Sequence, residues 1–290
     1  MSAKVSVRRS RPGSVKVGSC VIRFDVPRVM GIVNTTPDSF SGDGLAGDAR
    51  AAIRKGELMF SSGADIVDIG GESTKPGADA VSLETETART IKVVEALAGR
   101  HPGRVSIDTM KPQVAEQALF SGASIVNDVG GLRDQRMIRV VAEHDASVII
   151  MHMKGEPRTM QVRPSYKDVV KEVKAFLEDR VSTAEDEGVD PRRIMIDPGI
   201  GFGKSQEHNL EILARLREFK GLGKPIVIGV SRKSFIGRIT GEPVEGRMEG
   251  SLAVAVLAVR EGADIVRVHD VPETVRALQV AREIITRTVT

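Results

Sequence analysis

The sequence predicts an α/β chain, a (β/α)8 TIM barrel with an N-terminal β-hairpin, and three observations carry that prediction. From Arg28 onward, eight short β-branched runs alternate with longer helical patterns, which is the signature of βαβ units and a parallel sheet. A short motif recurs as Gly63-Ala64-Asp65-Ile66-Val67, Gly122-Ala123-Ser124-Ile125-Val126 and Gly262-Ala263-Asp264-Ile265-Val266, each time between a helical pattern and an apolar run. Glycine there suits a left-handed helix stop that turns straight into a buried strand. Eight such units close into a barrel of about 250 residues, a length that 290 residues accommodate. An open doubly wound sheet is the alternative, but the G-x-G-x-x-G dinucleotide turn after the first run is absent.

Taken in order, the first 27 residues contain Val15, Val17, Cys20, Ile22 and Phe24 around turn-forming Gly18 and Ser19, and read as a hairpin closing the barrel floor. Residues 28–290 are then the catalytic barrel. Its strands are expected at Val29–Val33, Ile66–Ile69, Val105–Ile107, Ser124–Asn127, Ser147–Met151, Ile194–Asp197, Ile226–Gly229 and Ile265–Val268. Between them, Lys167–Glu187 repeats Val169, Val173, Phe176, Val181 and Ala184 at helical spacing and stops at Gly188. The last helix opens near Pro272, with Val275, Leu278, Ala281 and Ile285 on one face. The apolar stretch Leu252–Val259 is either core or a dimer face.

Composition narrows the function classes. Hydrophobic residues at 41% and charged residues at 28% exclude wholesale disorder. The longest apolar run has eight residues, Leu252–Val259, far below the roughly 20 that cross a bilayer. The N-terminus carries no secretory signal pattern, and Cys20 is the single cysteine, so neither an internal disulfide nor a Cys-based metal site is expected and a reducing cytoplasm is favoured. Lys and Arg exceed Asp and Glu by only 42 − 39 = 3, and with one Tyr and no Trp a nucleic-acid partner is not indicated. The basic cluster Lys4, Arg8, Arg9, Arg11 and Lys16 reads as a solvated terminus or as a nucleic-acid arm, the former being the plainer explanation.

Barrel enzymes build their sites at the C-terminal ends of the strands, and here all eight ends are polar. They carry Asn34-Thr35-Thr36-Pro37-Asp38-Ser39-Phe40, Asp68 followed by Gly70-Gly71-Glu72-Ser73-Thr74-Lys75-Pro76-Gly77, Asp108-Thr109, Asn127-Asp128, His152, Asp197-Pro198-Gly199, Ser231-Arg232-Lys233-Ser234 and Arg267-Val268-His269-Asp270. Singly, such residues cap helices and form turns; a structural rim would not need this many polar groups facing one opening. Lys233, Arg267 and His269, with Arg232 as a possible addition, suit a multiply charged anion. Asp108, Asn127 and Asp197 offer the acceptors that a flat heterocycle with several N–H edges requires. His152 reads as a ligand, a general base or a hydrogen-bonded structural residue. Zinc is not indicated, whereas Asn34 suits Mg²⁺ if a diphosphate supplies other ligands. Residues 197–204 miss the P-loop spacing and read as a flexible loop.

These motifs, from Asn34-Thr35-Thr36-Pro37-Asp38-Ser39-Phe40-Ser41 through Ser106-Ile107-Asp108-Thr109 and Asp197-Pro198-Gly199-Ile200-Gly201-Phe202-Gly203-Lys204 to Arg267-Val268-His269-Asp270-Val271, resemble dihydropteroate synthase over about Met30 to Val271. The resemblance implies a transferase of folate biosynthesis that condenses 6-hydroxymethyl-7,8-dihydropterin diphosphate with 4-aminobenzoate, releasing pyrophosphate. It implies that Asp108, Asn127, Asp197 and Lys233 hold the pterin, and that Arg267, His269 and Asn34 hold the diphosphate and Mg²⁺. The catalytic set is then Asp108, Lys233, Arg267 and His269, with Ser231 and Arg232 beside it. The first two loops, with Phe40 and with Thr74, Lys75 and Pro76, would close over the aminobenzoate. A cytoplasmic homodimer acting on small molecules is the matching expectation. Lys75 stands where the family usually has arginine, and Ser41-Gly42-Asp43-Gly44 departs from the usual Ser-Asp-Gly-Gly, so a different arylamine is an alternative. Two further alternatives are a pterin-dependent methyltransferase, which needs no diphosphate clamp, and a catalytically silent pterin-binding scaffold.

Overall fold

Every β-branched run expected to be extended is a strand, displaced by no more than two residues at either end. The computed structural model describes residues 13–36, 48–75, 77–285 and 287. A hairpin of β1 (Ser14–Val17) and β2 (Cys20–Arg23) precedes eight parallel strands: β3 (Arg28–Asn34), β4 (Ile66–Gly70), β5 (Val105–Asp108), β6 (Ile125–Asp128), β7 (Ser147–Met151), β8 (Ile194–Asp197), β9 (Val227–Gly229) and β10 (Ile265–Val268). They pair in the order β8-β7-β6-β5-β4-β3-β10-β9, and a parallel bridge between Ile196 and Ile226 joins the two ends into a barrel. The doubly wound alternative is thereby excluded.

The helices among the described residues are α1 (Ala49–Ser61), α2 (Leu83–Ala98), α3 (Pro112–Phe120), α4 (Gln135–Glu143), α5 (Val169–Asp186), α6 (Gln206–Ala214), α7 (Ser234–Thr240), α8 (Met248–Arg260) and α9 (Val271–Ile285). Side chains of Asp48, Ser82, Asp134, Asp168 and Ser205 each accept a backbone N–H of the following first turn, which satisfies donors that a helix start leaves orphaned. Gly63, Gly122 and Gly262 of the repeated motif all have positive φ, from +100 to +109°, where a side chain would be strained. No helix among the described residues is long and apolar enough to cross a membrane.

Burial separates two apolar layers. Between helices and sheet lies the larger one, and inside the barrel a second forms from Met30, Ile66, Ile125, Ile149, Met195, Val227 and Ile265. Val15, Val17 and Phe24 pack into this inner layer with Met30, Ile66 and Ile265. Polar contacts tie the hairpin there: Arg193 donates to Gly18 O at 3.2 Å, Ser147 Oγ donates to Lys16 O, and Lys16 pairs with Asp190 at 3.5 Å. Apolar side chains fill the inner layer at the N-terminal ends of the strands, whereas the residues at their C-terminal ends are polar.

Candidate active site

The period of two in a strand decides what faces the barrel axis. Met30, Ile66, Ile125, Met195 and Ile265 point inward at the floor; two residues on, at the same face, stand Ile32, Asp68, Asn127, Asp197 and Arg267. Register aligns the tips, since Asn34 pairs with Gly70, Gly70 with Asp108 and Asp108 with Asn127. The result is an apolar floor under a polar roof. Above it opens a cavity of about 420 Å³, within the usual range for small-molecule sites. Asn34, Thr74, Lys75, Asp108, Ser231, Arg232, Lys233, Arg267 and His269 all border it. Asn127 and Asp197 are buried behind the wall rather than in it. Phe40, Pro76 and the Ser41-Gly42-Asp43-Gly44 segment lie outside the described residues.

Arg267 joins the two groups that the sequence divides into an anion side and a heterocycle side. Its Nε donates to Asp68 Oδ2 at 2.6 Å and its Nη2 to Asp108 Oδ2 at 2.5 Å. Asn127 Nδ2 donates to the same Asp68 oxygen at 3.0 Å. Asp68 is fully buried, and Oδ1 of both Asp68 and Asp108 is buried without a hydrogen-bond partner among the described residues. Burial pushes the Asp108 carboxyl up to about 7; the Arg267 guanidinium opposes this, while the negative charges of Asp68, Glu86 and Asp128 add to it. Asp68 shows in the sequence as a polar residue of the run Ile66-Val67-Asp68-Ile69, but its partner Arg267, 199 residues away, does not. A carboxylate placed within such a run is itself the signal, since burying a charge is costly unless it is paired.

Lys233, Arg267 and His269, expected to act together, all border the cavity, whereas the guanidinium of Arg232, their suggested addition, is taken up by Asp270. Lys233 reaches the cavity, its Nζ lying 4.4 Å from the centroid of the Phe202 ring, and burial with the nearby Arg267 lowers its ammonium to about 8 against the pull of Asp197 and Asp108. His269 accompanies it, with Nδ1 3.1 Å from Ser231 Oγ. Burial first, then the charges of Arg267, Lys55, Arg232 and Lys233, hold its imidazole down to about 3. It is therefore a neutral hydrogen-bonding group at pH 7 rather than the cation that the sequence suggests. Arg232 borders the cavity with its charge already paired: it adopts φ +55°, and its guanidinium grips Asp270 at 3.0 and 2.5 Å. Its backbone N–H donates to Ser251 Oγ at 2.8 Å, which helps hold a left-handed backbone that non-glycine residues seldom adopt.

The glycine-rich segment after β8 is a pinned turn, correcting the expectation of a flexible loop. Lys204 is 2% exposed, and its Nζ donates to Gly199 O at 2.9 Å and Phe202 O at 3.0 Å while lying 2.8 Å from His152 Nδ1. Burial holds the Lys204 ammonium well below its usual range and the His152 imidazole down to about 2. His152 accordingly has a structural place. Gly199, at φ +72°, is the one residue that fits, because a Cβ there would lie 1.9 Å from His152 O. Asp197 closes the turn by accepting from Gly199 N at 2.7 Å, and burial raises its carboxyl despite that bond. Phe202, Gly201 and Lys204 thereby become cavity wall, residues that reading strand ends alone misses.

Among the described residues no group of three or more His, Cys, Asp or Glu could hold a metal ion. Asn34 projects one amide at the cavity wall, its Oδ1 3.8 Å from where a Cβ of Gly70 would stand. That donor set fits Mg²⁺ held chiefly by phosphate oxygens and water, and does not fit a resident ion caged by protein.

The family model for pterin binding enzymes matches residues 30–269. The chain is 45% identical over 254 residues to the dihydropteroate synthase of Escherichia coli K12, covering 88% of this chain and 90% of that protein. It is similar to the solved Xanthomonas albilineans dihydropteroate synthase with 4-aminobenzoic acid, at 45% identity and a TM-score of 0.87, covering 94% and 98% of the two chains. Likeness to Burkholderia cenocepacia dihydropteroate synthase complexed with 7,8-dihydropteroate gives 43% identity and a TM-score of 0.86, over 96% and 98%. With a matching barrel, a polar cavity at its C-terminal mouth and this identity along most of its length, the chain belongs to the pterin binding enzymes, in the dihydropteroate synthase family.

Proposed function

We propose that the cavity condenses 6-hydroxymethyl-7,8-dihydropterin diphosphate with 4-aminobenzoate to give 7,8-dihydropteroate and pyrophosphate, with the residues in the roles that follow. One observation carries the assignment of roles: Arg267 and Asp108 touch each other in one cavity, so a cation and an acceptor stand a single bond apart. Asp108, through its unpartnered Oδ1, accepts from the pterin ring, supported by Asn127, Asp197 and Lys233. Arg267 and His269 donate to the diphosphate, with Ser231 orienting His269. Thr74 and Lys75 face the arylamine.

The carbon–oxygen bond to the diphosphate breaks first, its electron pair leaving with the diphosphate, and the positive methylene that remains is conjugated with the pterin ring. The arylamine lone pair then forms the new C–N bond, and its surplus proton passes to solvent. Arg267 stabilises charge growing on the leaving group, while Asp108 stabilises the pterin cation, both more strongly in the transition state than before it. Mg²⁺, held by Asn34 and the phosphates, would supply further positive charge to the leaving group. The wall of Ser73, Thr74 and Lys75 limits the water that would otherwise capture the cation.

Incubation with dihydropterin diphosphate, 4-aminobenzoate and Mg²⁺ should release pyrophosphate together with coupled product. Methyl transfer would release none, and it has no use for Lys233, Arg267 and His269 together. The pH profile is a second check. Asp108, at about 7, opposes the pterin's positive charge only when ionised, and Lys233, at about 8, supplies positive charge only when protonated. The kcat/KM for dihydropterin diphosphate should therefore fall below about pH 7 and above about pH 8, as apparent values of a coupled set. A flat profile from pH 6 to 9 would contradict these roles.

A second copy of the chain is the proposed protein partner. Helices α8 and α9, packed side by side, leave Leu257, Val280 and Ile284 57–65% exposed. Leu257→Glu should convert a dimer into monomer in sedimentation. The single thiol at Cys20 suits a reducing cytoplasm as the place of action.

A further inference from the structure

We propose that Lys111 is a positioning residue that clasps the loop after β4 into the cavity wall; the inference rests on the reading of Thr74 and Lys75 as arylamine contacts. Lys111 directly precedes α3, three residues beyond Asp108. Its Nζ donates to Glu86 Oε2 at 2.6 Å and to Glu72 Oε2 at 2.5 Å. Glu86, on α2, is fully buried, so it is a fixed anchor rather than a surface partner. Burial also raises its carboxyl, which Lys111 opposes.

Glu72 is the reach of the clasp. It borders the cavity, and its second oxygen accepts from Val81 N at 3.1 Å, closing the loop on itself. The base of the loop is pressed on α2: Arg89 Nη1 donates to Gly71 O at 2.9 Å, and a Cβ at Gly71 would come within 2.7 Å of Thr90 Cγ2. Ser73, Thr74 and Lys75 follow immediately as cavity wall. A partly buried Glu–Lys–Glu trio is a weak source of stability, since apolar side chains of similar volume often do as well. What apolar packing cannot supply is one defined position for Glu72 and the residues after it.

Two kinetic constants separate this role from a merely structural one. In Glu72→Gln a single amide oxygen must serve both Lys111 and Val81, so one contact is lost while the Lys111–Glu86 pair keeps the fold intact. The KM for 4-aminobenzoate should rise about 5- to 20-fold, with the KM for dihydropterin diphosphate within about twofold and amide exchange at Val81 accelerated. Glu72→Ala should move further in the same direction, and Lys111→Arg, which retains both bonds, should stay near wild type. An unchanged arylamine KM in both Glu72 variants, or equal rises for both substrates, overturns the proposal while leaving the condensation reading intact. Absence of pyrophosphate release by the wild-type protein would instead overturn that parent reading and this proposal with it.

Discussion

Arg267→Ala is expected to lower turnover by about 10²- to 10³-fold, the usual effect of removing one preorganised donor from a developing anion. The sequence alone predicts that such a variant would spare pterin binding. The contacts of Arg267 change that expectation, because the same guanidinium holds Asp68 at 2.6 Å and Asp108 at 2.5 Å. Without it two buried carboxylates face each other unpaired, a situation that costs about 3–5 kcal/mol when a buried ion pair loses one member. The Asp108 carboxyl, raised by burial and by Asp68 and Glu86, should then rise further and stay protonated at neutral pH. Affinity for the pterin should fall with turnover, and the acid limb of the pH profile should move to higher pH. Calorimetric titration with a dihydropterin lacking the diphosphate checks this: wild-type affinity in Arg267→Ala would refute the coupling. Arg267→Lys keeps one charge but loses the fork that spans two carboxylates, so it should restore stability more than rate.

Lys204→Met should be strongly destabilising, chiefly through the turn after β8. The lysine is 2% exposed and gathers Gly199 O, Phe202 O and His152 Nδ1 at 2.8 to 3.0 Å, acceptors that methionine leaves unsatisfied inside the protein. An orphaned buried acceptor costs about 1–3 kcal/mol. A loss of about 3 kcal/mol overall would lower the melting temperature by about 6–12 °C. Function should suffer locally as well. Phe202, held in place by that turn, lies under the Lys233 ammonium, so the KM for dihydropterin diphosphate should rise more than that for 4-aminobenzoate. A variant that melts like the wild type would mean that the carbonyls find other donors and that the turn needs no internal pin.

Part of this site could be read without coordinates. Asn34, Asp108, Lys233, Arg267 and His269 stand at strand ends in the sequence, and all five border the cavity. Asp68, Lys204 and Glu86 gave less away. Asp68 stands among the polar strand residues but with no partner assigned, Lys204 lies seven residues beyond the tip of β8, and Glu86 looks like any surface acid on an amphipathic helix. Neighbours in sequence were equally uninformative about direction. Arg232 and Lys233 are adjacent, yet a positive φ sends one guanidinium to Asp270 and leaves the ammonium in the cavity.

The eight strands, the glycine stops before three of them and the polar character of every strand end follow from local sequence, because alternation, helical period and turn chemistry act over a few residues. It took the closed fold to show that Arg267 reaches Asp68 across 199 residues of chain and Asp108 across 159, that His269 is neutral, and that Lys111 ties the loop after β4 to α2. Those outcomes depend on barrel closure, which brings distant strands to one axis, and on the burial that follows, which makes each charge depend on whichever partner the closed ring places beside it.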